Sequence, residues 1–247
     1  MEFQESKNLI VSSKNICLIP AEDPEAICSA LALFYTLKEL GKNVNLIIES
    51  IPENLRFLTP SLDFISYPKN FVISIPNTAA GISQISYEKN MESVKIFLTL
   101  ESGKIKKDDV SFYFSETKPD MVVALGIKDY SKELQNKLDS FGFLLDAPII
   151  NIDREPNPEQ GVHENKKFGK INLVEEFPLA GTVFGLIKNI SSNPIKAEQG
   201  NCLLSGIVVY TENFKKNLTA DIFQTAGELM KSGANLQKIT ENIYKSL

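Results

Sequence analysis

The sequence predicts an α/β fold in which helices flank a doubly wound, mainly parallel sheet. Short runs of Ile, Val and Leu alternate with longer segments whose apolar residues recur at the helical period. The short runs are apolar throughout, which is typical of strands buried on both faces. Strand–helix–strand order with such runs favours parallel pairing. Ligands of these sheets bind beyond the carboxyl ends of the strands, so the residues after each strand are the first candidates for a site.

The first helix has a clear signal at each end. Apolar side chains recur at the helical period over residues 24–40, and Gly41 stands where a helix commonly ends. Asp23 is a natural N-cap, and Pro24 suits the first helical position. Strands of the sheet are predicted at residues 16–19, 44–48, 121–125 and 148–152, with a helix over about 131–141 before the last of them.

The pattern changes between about residues 70 and 115, where strand-like runs follow one another without helices. This change predicts an antiparallel edge of the sheet or a small inserted subdomain. The runs cover residues 71–75, 94–100 and 110–114.

Later elements are a strand in GKINLV, a helix over about 178–190, a strand in GIVVYTENF that runs into a polar turn, and helices over about 219–232 and 236–247. Because no repeat or low-complexity linker interrupts the chain, a single domain over residues 1–247 is expected.

Composition narrows the class of protein. A net charge of −5 disfavours a nucleic-acid partner, which would require a basic face. No apolar run approaches the roughly 20 residues of a membrane span, and the N-terminus lacks the apolar core of a signal peptide. The three cysteines are widely spaced and predict buried, reduced thiols. We therefore expect a soluble cytoplasmic protein with no membrane contact, and with a protein partner or a second copy of itself as possible binding partners.

Several common sites are excluded by their absence from the sequence. There is no GxxxxGK[ST] phosphate loop, no GxGxxG fingerprint and no GxSxG nucleophile elbow. His163 is the one histidine of the chain, so any site that needs two imidazole ligands is excluded. It stands in the polar stretch PEQGVHENKK and is predicted to be an exposed loop residue.

Carboxylates follow two of the predicted strands. Asp23 and Glu25 come after the first strand, where they suit the cap and first turn of a helix but would also serve as oxygen ligands of a hard cation. Asp153, Arg154 and Glu155 come directly after the strand at residues 148–152. Acidic residues at such strand ends are common in sites, and the same residues are also common in turns.

Five segments, in this order, resemble the motifs of one enzyme superfamily: DPEAICSALALFYTLKELGKNV, MVVALGIKDYSKEL, PIINIDREPNP, FGKINLVEE and GIVVYTENF. The chain is similar over nearly its whole length to the catalytic domain of the DHH phosphoesterases, which include oligoribonucleases, exonucleases and cyclic-dinucleotide phosphodiesterases. The resemblance implies a DHH-domain-like fold. It also implies a two-metal site, usually manganese, in which a bridging hydroxide attacks a phosphodiester.

The resemblance carries the family's pocket onto eight positions of this sequence. The histidine of the first motif falls on Ile19, its acidic ligands on Asp23 and Glu25, the aspartate of the next strand on Gly126, the name triplet on Asp153, Arg154 and Glu155, and the last aspartate on Tyr210. The replacements remove two carboxylates and both triplet histidines and add a guanidinium that stays protonated, which opposes two divalent cations. We expect a degenerate site without a metal cofactor. The family's C-terminal substrate-binding subdomain is also expected to be missing, since Leu247 falls about where its linker would begin.

Four functional hypotheses remain open at this point. The first is a catalytically inactive binding or regulatory subunit in which Arg154 pairs with Asp23, Glu25 or Glu155. The second is a binder in which Arg154 and backbone amides at the start of the 24–40 helix hold a nucleotide or phosphate. The third is an active metal-dependent phosphodiesterase or oligoribonuclease, with Mn²⁺ or Mg²⁺ on Asp23, Glu25, Asp153 and Glu155 and with His163 as a relocated base. The fourth is an interaction scaffold without a ligand.

Overall fold

The computed structural model describes residues 2–48, 50–59, 69–116, 119–128, 130–135, 147–155 and 167–244. Within it the chain forms two units, one from Met1–Ser66 and Lys118–Leu247 and the other from Tyr67–Thr117. The smaller unit coincides with the region where the sequence predicts an antiparallel insertion. The assignment of residues 1–247 to a single domain stays a prediction.

In these described ranges, nine strands and six α-helices make up the two units. The strands are β1 (Asn15–Pro20), β2 (Asn43–Leu46), β3 (Lys69–Ser74), β4 (Ala80–Lys89), β5 (Val94–Gly103), β6 (Ser111–Glu116), β7 (Met121–Leu125), β8 (Ile149–Arg154) and β9 (Ile171–Glu175). The α-helices are α1 (Glu2–Ser12), α2 (Pro24–Glu39), α3 (Leu179–Ile190), α4 (Ala197–Tyr210), α5 (Ala220–Lys231) and α6 (Leu236–Tyr244).

The larger unit is built on a five-stranded parallel sheet with the strand order β2-β1-β7-β8-β9. Every residue of β7 is buried, as is every residue of β1 after the first. Helices α1, α2 and α3 contact strands of the sheet and cover it. This confirms the predicted α/β class and its mainly parallel sheet. Because parallel strands end at the same edge, the residues that follow β1, β7 and β8 are brought together there.

Helix α2 begins and ends where the sequence predicts. The Asp23 side chain accepts hydrogen bonds from the backbone N–H groups of Glu25 and Ala26, at 2.9 and 3.2 Å, and Pro24 takes the first helical position. Gly41 follows the last turn with a φ of +74°, a left-handed conformation that glycine adopts without a steric penalty. These interactions fix the direction in which α2 leaves the end of β1.

The predicted strand in GIVVYTENF is wrong, because residues 197–210 form helix α4. A short apolar run does not distinguish a buried strand from a buried helix by periodicity. In the structure α4 packs closely against α3. A Cβ at Gly206 would lie 2.8 Å from the Ala180 Cβ, so the two helices pack at a separation that only glycine permits. After α4, the buried Thr211 hydroxyl accepts a hydrogen bond from the Phe214 N–H at 3.0 Å.

Among the described α-helices and strands, the helix α1 and the strand β4 were not anticipated. The predicted helix over 131–141 is a π-helical turn at Tyr130–Gln135 in its described part, and residues 136–146 lie outside the described residues. His163 also lies outside them. The three cysteines are buried, as expected, and form no disulfide.

The smaller unit contains two antiparallel strand pairs, β3 with β6 and β4 with β5. This confirms the antiparallel insertion expected near residues 70–115. In the described part of the chain, no helix has the length and apolar character needed to cross a membrane.

Candidate functional site

The carboxyl ends of β1, β7 and β8 carry most of the positions that the sequence singled out. Ile19 lies near the end of β1 and is fully buried in the core. Glu25 and Asp153 are both buried, each with a relative exposure of 3%. Glu25 contacts Arg154 and Leu179, Arg154 packs on Tyr210, and Gly126 lies beside Leu179. We refer to these five residues as the strand-end cluster.

Glu25 connects three elements of the fold. Its Oε1 accepts a hydrogen bond of 2.7 Å from the backbone N–H of Leu179, the first residue of α3. Its Oε2 lies 3.4 Å from Nη2 of Arg154 at the end of β8. The residue before α3 is Pro178, whose side chain has no acceptor for the unpaired amides of the first turn. Glu25 therefore takes the place of the missing N-cap of α3 from another helix, at the positive end of the α3 dipole.

Burial raises the pKa of Glu25 to about 7. The Arg154 guanidinium opposes this shift, the nearby Asp23 adds to it, and the backbone amides of Leu179 and Ala180 oppose it. Burial outweighs the ion pair because the Arg154 side chain is 38% exposed, so that water screens its charge. The carboxyl group consequently changes protonation close to neutral pH.

Arg154 is held in place by an aromatic ring as well as by the carboxylate. Its Cζ lies 5.0 Å from the centroid of the Tyr210 ring, a cation–π distance. Tyr210 is the last residue of α4. The Tyr210 ring thus supplies a surface on which the guanidinium packs.

A side chain at Gly126 would be crowded and would need an unfavourable backbone conformation. It follows β7 with a φ of +66°, and its N–H donates to the Ile152 carbonyl at 2.9 Å. A Cβ placed there would lie 3.2 Å from the Ala26 Cβ, closer than most Cβ contacts, and 3.4 Å from the Leu179 Cδ2. Ala26 and Leu179 therefore occupy the space beside the Gly126 backbone.

The other predicted site residues have separate contacts. Asp23 caps α2 through its Oδ1. Asp153 accepts a hydrogen bond of 2.8 Å at its Oδ1 from the backbone N–H of Arg154. Glu155 is exposed, and its N–H extends the β8–β9 ladder by donating to the Glu175 carbonyl at 3.0 Å. Of the three carboxylates offered to Arg154 by the sequence, the ion pair recorded in the structure is with Glu25.

The donor set does not fit a pair of divalent cations. Across the described ranges, no three His, Cys, Asp or Glu side chains are grouped so as to hold a metal ion. One oxygen of Glu25 accepts a helix amide, and a permanent cation lies beside the other. Two divalent ions bring four positive charges, which need several carboxylates within reach.

The backbone amide of Leu179 is the one member of the cluster that sequence reasoning missed. A signal for it exists in the segment FPLAG, where a helix begins after a proline with no Ser, Thr, Asp or Asn to cap it. Such a start predicts that an acceptor comes from elsewhere in the fold. It does not identify that acceptor, because Glu25 lies 154 residues away in the sequence.

No family model matches this sequence, and no curated protein does. Among solved structures, an exopolyphosphatase-related protein from Bacteroides fragilis matches with a TM-score of 0.66 and 16% identity, over 100% of this chain and 61% of that chain. The chain has a DHH-like fold. At this identity the similarity extends to the fold and no further, and the chain spans less than two thirds of that protein's length.

Two structures of the exonuclease RecJ match more distantly. One, bound to manganese, gives a TM-score of 0.49 at 13% identity and covers 100% of this chain and 55% of the other. The second, a complex with Mn²⁺ from Thermus thermophilus, gives 0.42 at 12% identity and covers 99% and 36%.

The raised pKa of Glu25 predicts a pH dependence of stability. Between about pH 4.5 and 7 the folded protein binds more protons at Glu25 than the unfolded chain does, so this group lowers the free energy of unfolding as the pH rises. We expect Glu25→Gln to remove a decrease on the order of 2 kcal/mol between pH 5 and pH 8, measured by urea denaturation. Glu22→Gln, at an exposed position nearby, is the control. The same pH dependence in the wild type and in Glu25→Gln would contradict the prediction.

The ion pair predicts a coupling between Arg154 and Glu25. Arg154→Met keeps an unbranched side chain but leaves the buried carboxylate without its cation, so we expect a loss of about 1–2 kcal/mol at pH 8, reduced because Arg154 is partly exposed. In a Glu25→Gln background the same substitution should cost less, as a double-mutant cycle would measure. Lys188→Met breaks an exposed pair with Glu228 and should cost below about 1 kcal/mol. An identical loss in both backgrounds would show that the two residues are not coupled.

The close packing at Gly126 predicts that a side chain there lowers the free energy of unfolding by more than the backbone conformation alone would. We expect Gly126→Ala to lower the free energy of unfolding by about 2 kcal/mol, because an unfavourable φ and a crowded Cβ act together. Gly41→Ala is a matched control, since Gly41 has a φ of +74° and no described atom within 4 Å of its Cβ position. Its expected cost is about 1 kcal/mol. Equal losses at the two glycines would mean that packing contributes nothing at Gly126.

Proposed function

We propose that this chain is a DHH-phosphoesterase-like protein that does not hydrolyse phosphodiesters and acts as a binding or regulatory subunit. The observation that carries the proposal is the engagement of both Glu25 carboxylate oxygens, one by the Leu179 amide and the other by Arg154. A carboxylate in that position would be a metal ligand in the DHH family. In this chain it stabilises the start of a helix and the end of a strand.

Electrostatics and packing support the same proposal independently. Arg154 cannot lose its proton at physiological pH, so it competes permanently with a metal ion for Glu25. A side chain at Gly126 would crowd Ala26 and Leu179, and Tyr210 presents a ring to the guanidinium. Restored hydrolysis would therefore require changes at several positions together, including the packing of Ala26 and Leu179 against Gly126.

The exposed part of Arg154 suggests what a ligand of this site would contain. The side chain is 38% exposed and is oriented by Tyr210 and Glu25, which lowers the entropic cost of further hydrogen bonds. A planar guanidinium with donors still facing solvent suits a phosphate group, such as that of a nucleotide. The amides of Glu25 and Ala26 already donate to Asp23, so the anion would meet Arg154 and not the first turn of α2.

The absence of hydrolysis is tested by manganese calorimetry on the metal-stripped full chain, followed by a dinucleotide hydrolysis assay in the same buffer. We expect no manganese binding in the micromolar range and no turnover, because the donor set lacks the charge to hold two ions. Manganese-dependent cleavage that Asp23→Ala abolishes would overturn the proposal in favour of an active phosphodiesterase or oligoribonuclease. In that case Mn²⁺ or Mg²⁺ would be bound by ligands that include Asp23, Glu25 and Asp153.

The ligand is tested in the same preparation with a panel of mononucleotides and dinucleotides. Binding by the wild type that weakens at least tenfold in Arg154→Met and persists in Lys188→Met would support a phosphate contact at Arg154. The exposed Lys188 lies on α3 and pairs with Glu228, so the control removes a positive charge elsewhere in the same unit. Absence of binding across the panel would contradict a nucleotide ligand and leave a protein as the binding partner.

A further inference from the structure

The segment between α4 and α5 holds its backbone in a conformation that side chains disfavour. Among the described residues other than glycine, a φ in the left-handed region is confined to this segment, at Glu212, Asn213, Phe214 and Asn217. The first three are consecutive, with φ values of 47°, 61° and 57°, and we call residues 211–217 the left-handed turn. Because a Cβ makes this conformation unfavourable, a run of such residues persists only where surrounding contacts impose it.

Thr211 and Phe214 supply contacts that impose the left-handed turn. Thr211 is fully buried, and its hydroxyl donates to the Ile207 carbonyl at 2.7 Å while it accepts from the Phe214 N–H at 3.0 Å. The Phe214 ring stacks on the ring of Phe223 in α5, with centroids 5.8 Å apart. One threonine hydroxyl therefore joins the last turn of α4 to the segment that follows it.

The left-handed turn supplies partners that the end of α4 needs. The last carbonyls of a helix have no partner within the helix, and helix ends fray. Here the Asn213 N–H donates to the Val208 carbonyl at 2.8 Å. The side-chain amide of Asn217 donates to the carbonyl of Tyr210, the last residue of α4, at 3.3 Å. These hydrogen bonds oppose fraying at the residue whose ring contacts Arg154.

The direction of the Arg154 side chain depends on where that ring lies. The guanidinium is 38% exposed, and it is held by the Tyr210 ring at 5.0 Å from the Cζ and by Glu25 at 3.4 Å from the Nη2. A cation–π contact requires the cation to lie over the face of the ring. If the end of α4 frayed, the ring would move and Arg154 would lose one of these two constraints.

We propose that Thr211 is a positioning residue of the strand-end cluster: it holds the left-handed turn, fixes the Tyr210 ring beside Arg154 and so orients the guanidinium for an anion. The orientation of Arg154 needs no ligand, whereas its use for a phosphate rests on the function proposed for this chain. A guanidinium that is already oriented loses less conformational entropy when it binds, so it binds an anion more tightly.

The ligand-free full chain tests the orientation by NMR. Arg56 and Arg154 are the only arginines in the sequence, so Arg154→Met assigns the Arg154 Nε–H signal. The ring current of Tyr210 should shift this signal, and Tyr210→Leu should abolish the shift. Thr211→Val removes the hydroxyl but keeps the shape of the side chain, so it should move the signal towards its position in Tyr210→Leu. Thr211→Ser keeps the hydroxyl and should preserve the wild-type signal.

Thr36→Val is the matched control for a loss of stability. Thr36 is also buried, and its hydroxyl donates to the Ala32 carbonyl four residues earlier, at 2.9 Å, as the Thr211 hydroxyl does to Ile207. Thr36→Val should leave the Arg154 signal unchanged. A signal that stays in place in Thr211→Val would overturn the proposal. So would a signal that moves equally in both variants, because a general loss of stability would then explain it.

Two glycine substitutions decide the question if Thr211→Val does not fold. Glycine adopts a positive φ freely, so Asn217→Gly removes the hydrogen bond to the Tyr210 carbonyl without straining the turn. It should move the Arg154 signal in the same direction as Tyr210→Leu does. Asn213→Gly is its control, since Asn213 has a φ of 61° and contributes a backbone N–H that glycine also has. In that case equal shifts in the two variants, or no shift in either, would overturn the proposal.

Calorimetric titration with inorganic phosphate tests the use of this orientation. Thr211→Val should weaken phosphate binding about twofold to fivefold, the range that a lost cation–π contact at an exposed site implies. Thr211→Ser and Thr36→Val should retain the wild-type affinity. Equal affinities in the wild type and Thr211→Val would contradict an orientation for anions. A wild type that binds no phosphate would overturn the phosphate ligand of the proposed function, while the Arg154 signal of the ligand-free protein still decides whether Thr211 positions that side chain.

Discussion

A buried carboxylate needs hydrogen bonds or an opposite charge in place of water, and the strand-end cluster depends on how this need is met at Glu25. Three elements meet at this side chain: α2 carries it, α3 donates its first amide to it, and β8 ends at the arginine beside it. Each partner removes part of the cost of holding a charge away from water. Burial still dominates, so the pKa of Glu25 rises to about 7 and the carboxyl group is partly neutral at physiological pH.

The packing around this carboxylate depends on two glycines. Gly126 admits Ala26 and Leu179, and Gly206 admits Ala180, where an added Cβ would also lie 3.8 Å from the Glu25 Cγ. The close approach of α4 brings Tyr210 to the guanidinium of Arg154. The ion pair at this site therefore depends on the positions of two helices as well as on the residues that form it.

The elements of the fold were predictable from the sequence to different degrees. The cap at Asp23, the direction of α2 and the parallel sheet follow from local signals, and the structure confirms them. The apolar run ending at Tyr210 was mistaken for a strand because a buried helix and a buried strand are equally apolar. The strand β4 was also missed, although polar and apolar residues alternate along part of it, a pattern that is typical of strands.

The sequence by itself determined the fold class, the capping of α2 and the presence of an arginine among carboxylates at the end of β8. These depend on short-range rules, in which the spacing of apolar residues and the chemistry of helix ends act within a few positions. Only the tertiary structure decided that Arg154 pairs with Glu25 and that the amide of Leu179 completes the group. The reason is physical: Asp23 is engaged by its own helix, and the distances between Glu25 and its partners arise when elements far apart in the sequence pack against one sheet.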